Sequence, residues 1–155
     1  IVRAMPNTPA AIGQGMTVLT ANGAVTADQR DLCQSLMECV GDVAWLDDEK
    51  LMNAVTAVSG SGPAYVFLLV ECLTDAAVTI GLDPDLARRL AQQTVAGAGA
   101  YALSSAVDAD ELRRRVTSPG GTTEAALEVL MKNGALGDLV NAAVSAANKR
   151  GRELA

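Results

Sequence analysis

Helical patterns fill the chain from residue 47 to its end, and this limits the folds open to it more than any other feature. The segment 64–80 is apolar on nearly every side, so we expect a helix buried on several sides. Asp83-Pro84 predicts the start of the next helix, since Asp is a favoured N-cap and Pro suits the first helical position. The last helix has an apolar stripe, made of Leu136, Leu139, Val140, Ala143, Val144 and Ala147. The second part of the chain is therefore predicted to be all-helical.

Two stretches of small residues and one capping signal occur within this helical part of the chain. Ser59-Gly60-Ser61-Gly62-Pro63 predicts a kink or cap, after which Pro63 begins the next helix. The stretch 96–100 alternates Ala and Gly inside a helix, where each Gly costs about 1 kcal/mol relative to Ala. Such small side chains would let another helix backbone approach closely. Asp108-x-x-Glu111 predicts a capping box for a short helix.

Residues 1–46 follow a different pattern, β-β-α-β. Residues 1–5 predict a short buried strand, which the stiff loop Pro6-Asn7-Thr8-Pro9 ends; residues 15–21 and 43–46 predict two more strands. In open α/β sheets, loops at the carboxyl ends of strands are where ligands bind. The chain begins inside a strand without a Met, and we expect it to be a piece of something longer. The prediction is thus an α/β sheet remnant over residues 1–47, followed by an all-α domain over residues 48–155.

The helix between the second and third strands has a clear start signal. Thr26-x-x-Gln29 predicts a capping box, and Leu32, Leu36 and Val40 form the expected apolar stripe. Gly13-Gln14-Gly15 precedes a strand and has Val18 where a dinucleotide fingerprint needs its third glycine. A phosphate-binding loop would therefore lie upstream of the chain.

Composition narrows the function. The chain has 12 basic and 18 acidic residues, a net charge of −6, so we expect no nucleic-acid partner. Its lack of histidine removes the commonest acid–base group and metal ligand, and we expect no metal site. Three cysteines without Cys-x-x-Cys spacing (Cys33, Cys39 and Cys72) indicate reduced core residues of a cytoplasmic protein. The seven-residue apolar run 64–70 is far shorter than the ~20 residues of a membrane span, so we expect no membrane partner.

The glycine-rich stretch 116–127 is the strongest candidate for a binding site. Ser118 is a possible cap, Pro119 suits the first helical position, and the amides that follow have no intrahelical partner. Gly120 and Gly121 carry no side chain, so a ligand can approach the backbone itself. Unpaired amides and the positive end of the helix dipole favour a carboxylate or phosphate. An ordinary capped helix start explains the stretch equally well.

Three stretches together resemble the pyrroline-5-carboxylate reductase family: Met5-Pro6-Asn7-Thr8-Pro9, Ser59-Gly60-Ser61-Gly62-Pro63-Ala64-Tyr65 and Val116-Thr117-Ser118-Pro119-Gly120-Gly121-Thr122-Thr123. The resemblance covers essentially the whole chain, but the family's amino-terminal half of the nucleotide domain has no counterpart here. It implies the second half of a Rossmann-type sheet followed by a dimerisation domain of the 6-phosphogluconate dehydrogenase C-terminal-like type.

The resemblance also implies an activity: NADPH or NADH delivers hydride to 1-pyrroline-5-carboxylate and gives L-proline, the last step of proline biosynthesis. Homodimers would join into a larger ring, with each active site between one subunit's nucleotide domain and the helical domain at the dimer interface. As this fragment alone, the chain could instead be a non-catalytic oligomerisation module. A third alternative is a paralogous reductase that acts on another cyclic imine.

By the same resemblance, the substrate-binding residues are Gly120, Gly121, Thr122, Thr123, Glu49 and Arg115. Thr123 is the catalytic candidate, because an imine that binds already protonated needs only a hydroxyl to orient its N–H. The cofactor-binding residues, beside the nicotinamide, are Ala4, Met5, Pro6 and Asn7. Each group has a plainer alternative: a helix cap, an exposed carboxylate at Glu49, a solvated charge at Arg115 and a structural strand-end loop. The break at 59–63 could border the substrate pocket or pack at the dimer contact.

Overall fold

The computed structural model describes residues 1–154, and its elements follow the predicted order. The strands are β1 (Val2–Met5), β2 (Gly15–Ala21) and β3 (Gly41–Trp45). The helices are α1 (Ala27–Glu38), α2 (Met52–Val55), α3 (Gly62–Thr79), α4 (Pro84–Ser104), α5 (Ala109–Arg115), α6 (Thr122–Met131) and α7 (Ala135–Leu154). By packing, residues 1–65 and 142–154 form one compact unit, and Val66–Asn141 forms another. The predicted domain boundary after residue 47 stays a prediction.

The three strands form one sheet in the order β1-β2-β3. β1 pairs antiparallel with β2, and β2 pairs parallel with β3. The central strand, β2, supplies the buried side chains Thr17 and Leu19. The predicted burial of β1 is wrong, because β1 lies at an edge of the described sheet and Arg3 and Ala4 are exposed.

Helix α1 starts as predicted but packs by a different face. Both bonds of the capping box form: the Gln29 amide donates to Thr26 Oγ1 (3.4 Å), and the Thr26 amide donates to Gln29 Oε1 (3.1 Å). The expected apolar stripe is wrong, since Leu32 and Leu36 are 61% and 56% exposed. The three-stranded sheet is too narrow to cover this face. Its contact with α1 instead uses Trp45, whose Nε1–H donates to Gln34 Oε1 (2.9 Å).

The predicted break before α3 is confirmed as a π-helical turn at Thr56–Gly60. Its defining bond runs from the Ser61 amide to the Thr56 carbonyl, 2.8 Å away and five residues back. The Tyr65 hydroxyl donates to the Ala57 carbonyl (3.1 Å) and ties the turn to α3.

The apolar helices are mostly exposed, which contradicts the expected burial of 64–80. None of the described residues of α3 is buried, and Phe67 is 59% exposed. On α7, Leu139 of the predicted stripe is 68% exposed. Around Gly97 in α4, apart from the glycine itself, its two neighbours and the backbone of its own helix, no atom of the described chain lies within 4 Å of where a Cβ would stand. Among residues 1–154 these apolar side chains stay exposed, so burial could not be read from their apolar composition.

By length and composition alone, the 31-residue helical segment Glu49–Thr79 could cross a membrane. The seven-residue run considered in the sequence is only part of it. Core helices of soluble proteins pass the same test, so this segment is weak evidence for a membrane span.

Two local expectations are wrong. Within the described chain the Asp108 side chain accepts no capping bond from α5, and the Glu111 side chain bonds to Arg114 and Arg115 of its own helix instead of completing the box. Cys39 and Cys72 are exposed rather than core residues, although all three cysteines are free thiols.

Candidate functional site

The glycine-rich stretch folds into a tight turn that leads into α6. The Gly121 amide donates to the Ser118 carbonyl (3.0 Å), and Gly120 has a φ of +69°. Pro followed by a glycine with positive φ is typical of a type II turn. The expectations that Ser118 caps the helix and that Pro119 begins it are therefore wrong, since α6 begins at Thr122 with Gly121 as N-cap.

Some backbone amides of this turn donate a hydrogen bond within the described chain, and others, called open here, do not. The Gly120 amide donates to the Glu124 carboxylate (Oε2, 2.7 Å), and the Gly121 amide is used within the turn. The next three amides, those of Thr122, Thr123 and Glu124, have no acceptor among residues 1–154. They are consecutive at a helix start, where N–H groups converge on an anion. The open part of the predicted anion site is thus the first turn of α6, one residue beyond Gly121.

The two threonine side chains differ in exposure. Thr122 is exposed, whereas Thr123 is half-buried beside the open amides. A cavity of about 550 Å³ lies nearby in the same compact unit. Its lining residues are Arg113, Arg114, Thr117, Glu124, Leu127, Glu128 and Met131. Thr123 is not among them, and two arginines balance two glutamates, so this cavity does not coincide with the predicted anion site.

Arg115 is ion-paired within its own helix. Its Nε donates to Glu111 Oε1 (3.1 Å), and the same carboxylate accepts a bond from Arg114 (2.8 Å). The pKa of Glu111 lies below its ordinary value because Arg114, then Arg115, donate hydrogen bonds to its charged form. The charge of Arg115 is therefore partly compensated by Glu111, and its role at the substrate stays a prediction.

Glu49 lies in the other compact unit, at the start of a 3₁₀ turn. Its Oε1 accepts a bond from Arg3 Nη1 (3.1 Å), and the two side chains are 64% and 49% exposed. An exposed pair of this kind contributes little to stability. It connects β1 to the beginning of the helical segment, and substrate binding by Glu49 stays a prediction.

The predicted cofactor residues occupy the end of β1 and the loop after it. Ala4 and Pro6 are exposed, so a small apolar surface is open to a flat ring. The Asn7 side chain faces the protein: its Oδ1 accepts from the Met16 amide (2.9 Å), and its Nδ2 donates to Ser59 Oγ (3.3 Å). Ala4 and Pro6 are thus exposed while the Asn7 side chain is bonded within the chain, and cofactor binding by residues 4–7 stays a prediction.

Sequence reasoning missed two residues. Glu124 occupies the third position of α6, where a carboxylate often reaches back to an amide before the helix, so a capping-box search centred on Gly121 would have found it. Ser59 is 52 residues from Asn7 in sequence, and no local pattern indicates their contact. Among the described residues, no group of three His, Cys, Asp or Glu side chains could hold a metal ion.

The chain is similar in sequence to known proteins over most or all of its length. The family model described as "Pyrroline-5-carboxylate reductase dimerisation" matches residues 49–154. Pyrroline-5-carboxylate reductase of Pseudomonas aeruginosa is 53% identical over all of this chain, which covers 56% of that protein. The reductase of Pisum sativum is 48% identical over 99% of the chain, which covers 55% of its length.

Solved structures show the same relationship. A pyrroline-5-carboxylate reductase from Coxiella burnetii matches the whole chain with a TM-score of 0.96 and 47% identity, over 57% of its own length. The Plasmodium falciparum pyrroline carboxylate reductase, solved with NADP bound, matches 99% of the chain with a TM-score of 0.88 and 35% identity, over 62% of its length. The chain thus spans little more than half the length of these relatives.

Proposed function

Because the chain belongs to the pyrroline-5-carboxylate reductase family, we propose that it forms the carboxyl-terminal part of an enzyme that reduces 1-pyrroline-5-carboxylate to L-proline with NADPH or NADH. The observation that carries this proposal is the row of three open amides at the start of α6, next to Thr123. The substrate has one carboxylate, and these donors provide the charge and geometry to bind it.

The chemistry needs few protein groups. Reduction adds hydride to the imine carbon, and a nitrogen that is already protonated becomes the secondary amine of proline without a further proton donor. The cofactor supplies the hydride when it is bound. Thr123 accepts a bond from the iminium N–H and orients the ring, while the α6 amides fix its carboxylate. Placing two reacting groups correctly can contribute ~7–11 kcal/mol to lowering a barrier, so the lack of histidine is no obstacle.

The cofactor would meet the chain at Ala4, Met5 and Pro6. The exposure of Ala4 and Pro6 supports contact with the nicotinamide, and the NADP-bound relative supports a dinucleotide of this type. The phosphate-binding glycines would belong to the amino-terminal half that the relatives possess. The proposed cofactor is either NADPH or NADH.

The apolar surfaces of α3, α4 and α7 support self-association. We propose a homodimer formed through the helical domain, of the 6-phosphogluconate dehydrogenase C-terminal-like type, which assembles further into a ring. Each active site would combine the cofactor loop of one subunit with the α6 turn at the dimer interface. We further propose that the protein is cytoplasmic and has neither a membrane nor a nucleic acid as partner.

Turnover by the whole reductase tests the proposal. Pyrroline-5-carboxylate should be reduced with either NADPH or NADH at least tenfold more efficiently than its six-membered homologue, and a proline complex should place the carboxylate on the α6 amides. Preference for the larger ring would indicate the paralogous reductase. A titration of NADPH against this chain alone separates the module alternative, because tight binding would contradict the absence of a phosphate loop.

A further inference from the structure

The Asn7 side chain is held at both ends. Its acceptor oxygen is used by the Met16 amide (2.9 Å), which closes the loop between β1 and β2. Its donor nitrogen reaches Ser59 Oγ (3.3 Å) in a partly buried contact. The Asn7 side-chain amide thus accepts one bond and donates one, and it connects two chain segments. Its bonded atoms are occupied by the protein rather than by a ligand of the loop.

Ser59 owes its position to the π-helical turn. The bond from the Ser61 amide to the Thr56 carbonyl inserts one extra residue into the helix, and such turns are frequent at functional sites. The Tyr65 hydroxyl bonds to the Ala57 carbonyl and fixes the turn from the other side. Ser59 is therefore presented by a rigid backbone rather than by a loose loop.

Gly60 lets the strand end approach this turn. A Cβ at Gly60 would stand 2.5 Å from the Met5 Cε atom, too close for a normal contact. The end of β1 thus meets the turn twice, through the polar Asn7–Ser59 contact and through the apolar Met5–Gly60 contact. Both contacts are made by residues adjacent in sequence to Ala4 and Pro6, the exposed surface of the proposed nicotinamide contact.

We infer that Asn7 and Ser59 are positioning residues for hydride transfer, which set the loop 4–7 against the π-helical turn without touching the cofactor through their bonded side-chain atoms. The inference rests on the proposed reductase function. Hydride transfer is sensitive to displacements of about 1 Å between the reacting carbons. Loss of the contact should therefore slow the hydride step more than it weakens ligand binding.

The test compares serine variants in the whole reductase. Ser59→Ala should slow hydride transfer in a single turnover about five- to tenfold, the size of one lost neutral hydrogen bond. The deuterium isotope effect on kcat with deuterated NADPH should rise, while the NADPH Kd and the melting temperature stay near wild type. Ser59→Thr, which keeps the hydroxyl, should recover most of the rate. Ser61→Ala is the matched control, since the Ser61 hydroxyl makes no bond within residues 1–154.

Gly60→Ala is a second test of the inference, and it removes no hydrogen bond. The added methyl would clash only with the flexible end of Met5 and would make an ordinary contact with the Thr56 side chain (3.5 Å), so the protein should fold, with Met5 displaced and hydride transfer slowed in the same way. A wild-type hydride rate in Ser59→Ala would overturn the inference and leave the reductase function standing. Parallel losses of rate, NADPH affinity and melting temperature would overturn it too, because they indicate a structural contact alone. A wild-type enzyme that does not reduce pyrroline-5-carboxylate would remove both proposals.

Discussion

Glu124 places a negative charge beside the amides proposed to bind the substrate carboxylate. Its Oε2 lies 2.7 Å from the Gly120 nitrogen, at the edge of the open row of N–H groups. Two like charges at such a distance repel each other measurably even near a protein surface. Glu124 therefore stabilises the turn and at the same time disfavours an anionic ligand.

Glu124→Gln should separate these two effects. The amide oxygen of Gln can still accept the Gly120 N–H, whereas the charge is removed, so we expect the KM for pyrroline-5-carboxylate to fall about threefold or more with kcat unchanged. Steady-state kinetics at low ionic strength is the measurement. Glu128→Gln, one turn further along α6, should show a smaller effect. An unchanged or higher KM in Glu124→Gln would contradict the prediction.

Thr123→Ala should lower kcat/KM about tenfold or more, because it removes one hydrogen bond to a charged group. The NADPH Kd should not change, since the residue faces the substrate and not the dinucleotide in the proposed site. Thr123→Ser is the control and should keep most of the activity. Full activity in Thr123→Ala would exclude the hydroxyl from the mechanism.

At this scale the sequence indicated where the site lies but not how its donors are distributed. Paired glycines followed by threonines predict exposed amides, and three open amides are present. The Gly121 amide is used within the turn because of the φ and ψ of Pro119 and Gly120, and the positive φ of Gly120 has no place in a helix that starts at Pro119. The orientation of Asn7 depends on Ser59, which only tertiary packing brings close.

The two predicted capping boxes differ in the structure, so substitutions of their N-cap residues can be compared. Thr26→Ala should destabilise the protein by about 1 kcal/mol, because it removes the observed bond to the Gln29 amide. Asp108→Ala should cost less than about 0.5 kcal/mol, since the Asp108 side chain makes no capping bond within the described chain. Urea unfolding at one fixed protein concentration compares them. Equal losses would show that the Asp108 cap forms in solution.

The arginines of α5 make this helix sensitive to acid. The pKa of Asp110 is lowered chiefly by its hydrogen bond from Arg114, and the pKa of Glu111 is lowered by Arg114 and then Arg115. A lowered carboxylate pKa means that the pairing stabilises the helix at neutral pH and that this stabilisation is lost as pH falls through the lowered folded-state pKa values. Both carboxylates are exposed, so the effect on overall stability is small.

Carbon-detected NMR titration checks this pH dependence. Both midpoints should lie below ordinary values in the wild type and should rise in Arg114→Gln, which removes the shared donor. Unchanged midpoints for Asp110 and Glu111 would contradict the assigned cause.

Element order followed from local signals, whereas burial did not. The Thr26 box, Asp83-Pro84 and the glycine break before α3 each act over a few residues, and all three form as predicted. Leu32 on α1 and Phe67 on α3 are apolar at helical spacing, yet both are exposed. Burial depends on a partner surface, and a periodic pattern does not say whether that surface belongs to the same chain.

For the whole molecule, the open stretch around Gly97 offers a direct test of association. Gly97→Leu should weaken the proposed dimer at least tenfold if another helix backbone approaches there, since a large side chain would hold the helices apart. Gly97→Ala keeps the surface small and favours the helix by about 1 kcal/mol, so it should dimerise as the wild type does. Sedimentation equilibrium measures both. A wild-type dissociation constant in Gly97→Leu would exclude this stretch from the interface.

The sparse burial of the single chain has a thermodynamic consequence. Among residues 1–154, the largest fully buried side chains are Leu19, Met52 and Thr17, which is little buried surface for a polypeptide of this size. If the chain dimerises through such surfaces, association with a second copy supplies much of its folding free energy. Dilution then favours the unfolded state, and a higher protein concentration stabilises the folded state. The melting temperature would then depend on protomer concentration, and values measured at different concentrations could not be compared.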